Sequence, residues 1–576
     1  MRKTCLGRGD GSGSRDARRG AGTRARSLAA VAVLVLVTAS LAALACGCSG
    51  DTAATPAASA SPPAQPRSGG TLNYPLLVDV NTMLPFAQIH AWEPAHQVYE
   101  GLVAWEIEQN GQVATVPCLA ESWEASPDAT VWTFRLRRGV RFQQPVAREV
   151  TAADVVADFR FTVRASNHAW SAYMAAIIAG TDDADGTVPE GEMDRLGVEA
   201  LDRYTVRFTL KKPFAGFPDT LGGQYGWVWP ADYLRRVGRR GFEERPVGTG
   251  PFVVSRRVPG SYVDLIRNPH WWNAASGQPY LEGVHFVQFS SPTERLQAFQ
   301  QGRIDYTWVP QGQVAASRSL PQVQSGEWVP VVLPVEATGY VGFDMTDPVT
   351  GGAAGLMLRR AIDAAIDRRA LVKAVSDGVY VPQTGLVPPV FPGWQDEQPA
   401  QPYDPAKARE LYAQAGSPPL RLALTRDRVA VATAHYVQRA CAAAGIDLRL
   451  QQIAWGRYVE LFETGRMPPM YLFGWIADYP SPDNFLYELY LGSLSPYTSG
   501  TAYSDPDVDR LLTLARSTAD PQKHFDLNRR AAHEILADKP VLPLFQNADY
   551  RLVSSRIGGF SVSPTYGVDA WKVWVK

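Results

Sequence analysis

The sequence predicts a mixed α/β fold, α/β or α+β in class, divided into two or three domains. Three observations lead there. Short runs such as Val131–Leu136 alternate apolar and polar residues with the period of a half-buried strand. Longer stretches such as 356–375 repeat apolar residues at helical spacing. The two kinds alternate unevenly, which fits neither a helix bundle nor a β-sandwich. The roughly 500 residues that follow the leader are too many for one core.

The leader comes first. Its 27 residues carry eight Arg and Lys against Asp10 and Asp16, and 28–45 is then apolar except for Thr38 and Ser40. A basic region, an apolar core and small residues at the end make an export signal. The small residues run into Cys46 and Cys48 and resemble a bacterial lipobox. Lipidation is expected at Cys48, between Gly47 and Ser49, or else at Cys46, so residues 1–48 form the signal peptide. Residues 49–68, rich in Ala, Pro, Ser and Thr, read as a flexible tether. The expected product is an exported lipoprotein of the cell membrane, facing the extracellular or periplasmic side. Removing the leader's +6 from the whole chain's −1 leaves −7, a mildly acidic balance that argues against a nucleic-acid partner. Two cysteines remain, Cys118 and Cys441; a long-range disulfide between them would suit an exported protein, but the sequence supplies no geometry for one.

Along the remainder, 71–80 has strand character and 93–102 helix character. Val131–Leu136 is a strand, followed by a turn and a further extended stretch at 138–142. Thr151 is a helix N-cap with Asp154 as the acid of the first turn. Residues 204–210 and 284–289 read as strands, 292–301 as a helix and 356–375 as one amphipathic helix. Met470-Tyr471-Leu472-Phe473 is strand-like and breaks before Pro480 and Pro482, which a central strand does not hold. Asp478 thus falls just past a strand end, flanked by Trp475 and Tyr479. A carboxylate beside aromatic faces suits a cation, and a strand end exposes backbone groups that an extended ligand can pair with.

Several segments occur together in one order. They are Leu119-Ala120-Glu121-Ser122-Trp123, Trp132-Thr133-Phe134-Arg135-Leu136, Thr151-Ala152-Ala153-Asp154, Pro246-Val247-Gly248-Thr249-Gly250-Pro251-Phe252 and Arg267-Asn268-Pro269-His270-Trp271-Trp272. Gly302-Arg303-Ile304-Asp305 and Leu358-Arg359-Arg360-Ala361-Ile362-Asp363 follow. This series resembles the extracellular solute-binding proteins of ABC importers, family 5, the oligopeptide- and dipeptide-binding proteins. One loop departs: Gln143-Gln144-Pro145-Val146-Ala147-Arg148 stands where the family has a His-Asp-Gly turn. The resemblance implies a two-lobed, periplasmic-binding-protein-like fold with a hinge and a domain inserted in the first lobe. The first lobe would use 69–105, 228–335 and 540–576, with 106–227 as the insert and 336–539 as the second lobe.

The resemblance also implies a site. Gly474, Trp475 and Ile476 would pair main chain to main chain with a peptide, and Asp478 would hold its α-ammonium beside Tyr479. Trp455, Tyr340 and Trp92 would be cleft aromatics; Phe343, Trp227 and Trp229 are softer placements. Arg457 and Arg426 are open alternatives for a ligand carboxylate. The implied partners are a peptide or similar small solute and the permease and ATPase subunits of an importer, with the protein itself a monomer. No cofactor or metal is expected, since the eight histidines form no ligand-like pair. Two rival readings stand beside this one: an extracellular hydrolase using Asp478 and Asp483 as an acid pair, and a ligand-sensing receptor subunit without transport.

Overall fold

The computed structural model describes residues 65–576 except 88, 90, 109–110, 165–173, 175, 182–187, 189, 311, 395–401 and 564–566. The expected signal peptide with Cys46 and Cys48, and most of the expected tether, lie outside the described residues.

Three sheets organise the chain. In the first, Thr71–Leu76 runs parallel beside Gly283–Gln288, which continues antiparallel to Tyr262–Arg267 and then to Phe252–Val258. The second is antiparallel, in the order Ala120–Ala125, Val131–Leu136, Thr205–Thr209, Val198–Asp202. The expected alternation holds on Val131–Leu136, where Trp132, Phe134 and Leu136 are buried and the residues between them are not. Both sheets share one apolar core with the C-terminal residues Ile557, Val562, Val568, Ala570 and Val573.

The third sheet has seven strands. Tyr306–Trp308, Val541–Ser554, Trp328–Phe343, Met470–Ile476, Leu420–Leu424 and Leu448–Gln452 follow one another, and Val381–Pro382 adds to Val541–Ser554. It is covered on both faces. Because side chains alternate along a strand, Val341, Leu422 and Leu472 enter one core, while Tyr340, Ala423 and Tyr471 enter another. Its two long strands, Trp328–Phe343 and Val541–Ser554, pair antiparallel with register shifts between Pro334 and Thr338 and between Gly339 and Tyr340.

The expected domain limits near 336 and 540 meet these two strands: one falls inside the first, the other immediately before the second. Packing differs from the expected division in one region. Phe289, Ala298, Phe299 and Ile304, assigned by sequence to the first lobe, join the core of the seven-stranded sheet, with the Phe299 ring 4.9 Å from that of Trp328.

Buried polar groups explain why distant motifs occur together. The Glu100 carboxylate accepts hydrogen bonds from the Thr249 hydroxyl at 2.7 Å and from the Trp271 and Trp272 indoles at 2.9 and 3.0 Å. Two of these segments therefore satisfy one buried carboxylate, which would otherwise be heavily penalised. Arg359, 1 % exposed, donates to the carbonyls of Thr350, Gly352 and Asp538. The unusual loop is held the same way: Gln143 donates to the carbonyls of Gly250 and Phe252 and its amide oxygen accepts from Gly248.

Three expectations need correction. The stretch 356–375 is two helices, Leu356–Ala365 and Arg368–Ser376, because the Asp367 side chain caps the second by accepting from the amides of Arg369 and Ala370. The helix expected over 93–102 is only Glu93–His96; the chain beyond it bonds instead to Gly250, Phe252 and Val228. The extended stretch expected at 138–142 makes a single bridge, Arg141 to Glu149. Cys118 and Cys441 are both free and lie in different cores.

Candidate functional site

The strand Met470–Ile476 carries the site. It pairs along its whole length with Trp328–Phe343, from Phe343 opposite Met470 to Ala337 opposite Ile476. On its other side it meets Leu420–Leu424 only at Tyr471, so that edge is open beyond this residue. Its polarity follows from alternation. The Ala477 amide donates to the Glu336 carbonyl at 2.9 Å, which turns residues 473, 475 and 477 toward the partner strand. The Leu472 carbonyl accepts from the Tyr458 hydroxyl at 2.5 Å, and the Asp478 amide donates to Asn484 Oδ1 at 3.1 Å. The backbone groups of Gly474 and Ile476 therefore face the open edge. Glycine is required at 474, since a Cβ there would stand 2.6 Å from the Thr338 carbonyl oxygen.

That edge borders a cavity of about 380 Å³ lined by Thr338, Tyr340, Asp427, Trp455, Phe545 and Asn547, among others. Trp455 begins the helix Trp455–Glu463 and is 61 % exposed, and Ile476 is 70 % exposed. Large apolar side chains held out at a cavity mouth are surface that a ligand can cover. Asp478, just past the strand, is exposed, and its charge helps to hold the half-buried Glu488 carboxyl above its usual range, after desolvation and Asp483.

The other expected residues divide. Tyr340 is 2 % exposed and gives its hydroxyl to the Ser499 carbonyl, so it offers the cavity only part of its surface. Trp475 is half-buried with its indole donating to Asn484 Oδ1 at 2.7 Å. Tyr479 is a correction: it is fully buried, its hydroxyl donates to Asp483 Oδ2 at 2.9 Å and its ring meets Phe214 edge-on. The prolines turn the chain inward there, so the aromatic beside Asp478 belongs to the core. Trp92 lines a different cavity, of about 380 Å³, with Glu93, Arg295 and Trp308. Of the arginines considered for a carboxylate, Arg457 pairs with Glu460 at 2.6 Å on the surface and Arg426 is exposed beside Asp427. Phe545 and Asn547 were missed, being read as first-lobe tail. Asp427 was missed too, although Asp before an apolar-periodic run is a cap signal; it caps Arg428–Ala443 by accepting from Ala430.

An acid pair of Asp478 and Asp483 does not form. Asp483 is 1 % exposed and held by Arg516 and Tyr479, while Asp478 faces solvent. A larger cavity, about 630 Å³, is lined by Arg360, Asp363, Arg368, Lys407, His533 and Lys539. There Asp363 pairs with both Arg368 and Lys539. It has neither an open strand edge nor an exposed Trp, so the smaller cavity is the better candidate.

One buried carboxyl beside the edge strand titrates unusually. Glu336 is 3 % exposed, its Oε1 has no hydrogen-bond partner, and burial pushes its pKa up to about 7. A carboxyl raised in the folded state contributes stability below its unfolded value, near 4.5, and that contribution is lost as pH rises through about 7. Glu336→Gln is expected to match wild type below pH 4.5 and to become the more stable form by pH 8, by up to about 3 kcal/mol. Urea midpoints at the two pH values check this; a gap that does not widen between them overturns it.

A family model described as bacterial extracellular solute-binding proteins, family 5 Middle, matches residues 114–495. The di/tripeptide-binding protein 2 of Pseudomonas aeruginosa (strain UCBPP-PA14) is 29 % identical over 498 residues, covering 83 % of this chain and 89 % of that protein. HbpA2 from Haemophilus parasuis superposes with a TM-score of 0.75 at 23 % identity, covering 88 % of this chain and all of the other. The periplasmic binding protein DppA from Helicobacter pylori, solved with the peptide STSA, gives 0.64 at 26 % identity over 88 % and 98 % of the two chains. The mixed α/β fold with two lobes is thereby shared, and the family is one of binding proteins rather than enzymes. This chain belongs to the bacterial extracellular solute-binding proteins, family 5.

Proposed function

We propose that the protein captures short peptides outside the cell membrane and delivers them to the permease of an ABC importer. The observation that carries this reading is the open edge of Met470–Ile476, with the backbone groups of Gly474 and Ile476 turned outward and an exposed carboxylate, Asp478, at its end. An extended peptide adds to such an edge as a further strand. Backbone pairing is blind to side chains, so it supplies affinity without demanding one sequence. Asp478 would then hold the α-ammonium, and Trp455 would cover part of the peptide. A relative that is a di/tripeptide-binding protein and a solved complex with the peptide STSA support the same ligand class.

The two long strands Trp328–Phe343 and Val541–Ser554, with their two register shifts, would serve as the hinge between lobes. A ligand touching both lobes favours the closed arrangement by the difference in its affinity for the two states. Calorimetry with di- and tripeptides on the purified protein tests the ligand class. X-ray scattering tests closure, with a smaller radius of gyration expected at saturating peptide. No heat with any peptide would end the peptide reading, and an unchanged radius would end the hinge.

Attachment through a lipid on Cys48, or failing that Cys46, completes the reading, because a tethered domain stays near the permease while free to move. Replacing both by Ser is expected to release the protein or leave an uncleaved precursor. Normal cleavage with membrane retention in that variant would exclude the lipid anchor.

A further inference from the structure

The cavity beside Trp92 holds a cation that the fold leaves uncompensated. Arg295, on the helix Pro292–Gln300, is 5 % exposed and lines this cavity. Its Nη2 donates to the Trp308 carbonyl at 3.2 Å, its guanidinium carbon lies 4.7 Å from the centre of the Trp308 ring, and its Nε is buried without a hydrogen-bond partner. A second guanidinium, that of Arg551, lies 4.5 Å from the same ring centre. The carboxylate that bears on both is Asp549, and it is already engaged: its Oδ2 accepts from Arg551 Nη2 at 2.9 Å and from the Trp308 indole at 3.1 Å. Arg295 forms no ion pair of its own among the described residues. Its pKa is pushed down to about 10, by burial first and then with the help of Arg551. Glu93, the carboxyl that lines the cavity, is raised above its usual range by burial and lowered again in part by Arg551, so the cation that acts on it is Arg551.

A buried charge is normally paired, because desolvation without a partner is heavily penalised. This one borders a cavity, and the cavity is not isolated. Trp308 also lines a smaller cavity that includes Asn547 and Asp549, and Asn547 in turn lines the cavity at Gly474 and Trp455. Each cavity thus shares a lining residue with the next, Trp308 and then Asn547.

We propose that the pocket formed by Arg295, Trp308 and Trp92 is an anion subsite of the cleft, in which Arg295 takes a carboxylate of the bound solute. The planar guanidinium presents a donor fork suited to a carboxylate, and the Trp308 indole beneath it holds that plane in place. The preferred solutes are then peptides with an acidic side chain, or peptides short enough for the C-terminal carboxylate to arrive there. This rests on the reading of the cleft as a peptide site, and two sets of probes separate the two claims.

The first set is Ala-Glu, Ala-Gln and the C-terminal amide of Ala-Glu, titrated into the full-length protein and into Arg295→Met and Arg295→Lys. Wild type is expected to lose about thirtyfold in affinity when the carboxylate that docks is neutralised. Loss with Ala-Gln identifies the side chain, and loss with the amide identifies the C-terminus. In Arg295→Met the difference between charged and neutral probes should vanish, and in Arg295→Lys part of it should return. A purely structural Arg295 would weaken all three probes alike in Arg295→Met, and that result overturns the subsite, as do equal wild-type affinities for the three. The second set is succinate alone, followed by tryptophan fluorescence, with Trp308→Phe identifying the reporter. Should wild type bind none of the peptides, the peptide reading fails and succinate decides the subsite. A saturable change lost in both Trp308→Phe and Arg295→Met supports it, and no saturable change overturns it.

Discussion

Asp478→Ala is expected to weaken the binding of a peptide with a free N-terminus by about thirtyfold or more. The carboxylate stands just past the open strand edge, where the outward backbone groups of Gly474 and Ile476 set the direction of an added strand. A peptide paired there brings its α-ammonium toward the strand end. Once the lobes close over both groups, truncating one member of a hydrogen-bonded charge pair costs about 2–5 kcal/mol, largely because the other charge stays buried and unpaired. At about 1.4 kcal/mol per decade this is the expected loss. N-acetylating the peptide should weaken binding to wild type and cost little further in the variant, since the amine has then no charged partner to lose. Calorimetry with the free and acetylated peptides on both proteins completes the cycle. Wild-type affinity in Asp478→Ala would make this residue an ordinary turn acid.

The strand that carries the site was legible in the sequence because an apolar run ending before two prolines has few other structures open to it. Its open edge was not, because pairing on either side depends on the register of strands far along the chain, Trp328–Phe343 on one side and Leu420–Leu424 on the other, where only Ala423 reaches Tyr471. The mixed fold class followed from periodicity, and Thr151 with Asp154 does open a helix, the Asp154 carboxylate accepting from the Thr151 amide at 2.8 Å. Periodicity could not see that 356–375 is interrupted, since the apolar face continues across Asp367; the cap residue itself was the signal.

Side-chain direction was the least legible property. Tyr479 is adjacent to Asp478 in sequence, yet a strand end and a turn send the two to opposite environments, one to solvent and the other to the core. Arg295 was not singled out because nothing in 292–301 distinguishes it from a surface helix arginine. Its burial comes from Trp308 and from Arg551, 256 positions further on. Burial of this kind depends on long-range packing, which periodicity does not report.

Asp483→Ala is expected to act on the fold and not on the ligand. The Asp483 carboxylate is 1 % exposed and receives Arg516 Nη1 at 2.9 Å and the Tyr479 hydroxyl at 2.9 Å. The same Arg516 nitrogen lies 3.2 Å from Glu488, and the guanidinium sits 4.0 Å from the ring centres of both Phe214 and Tyr487. Its backbone carbonyl accepts from Ala215 at 2.7 Å. One arginine thus ties the turn after Asp478 to the Phe214–Ala215 segment. Removing Asp483 takes away the nearer of the two carboxylates that pair with that guanidinium and leaves only Glu488 at 3.2 Å. Breaking a buried pair from one side costs about 3–5 kcal/mol, and the urea midpoint should fall accordingly. Asp483→Asn, which keeps an acceptor for Tyr479, should lose less. Arg516→Met added to Asp483→Ala should cost less than the sum of the two single changes, because the second removes the charge that the first left unpaired. Peptide affinity per folded molecule should stay near wild type in Asp483→Ala, in contrast to Asp478→Ala. The reverse pattern, unchanged stability with lost binding, would move the ammonium partner from Asp478 to Asp483.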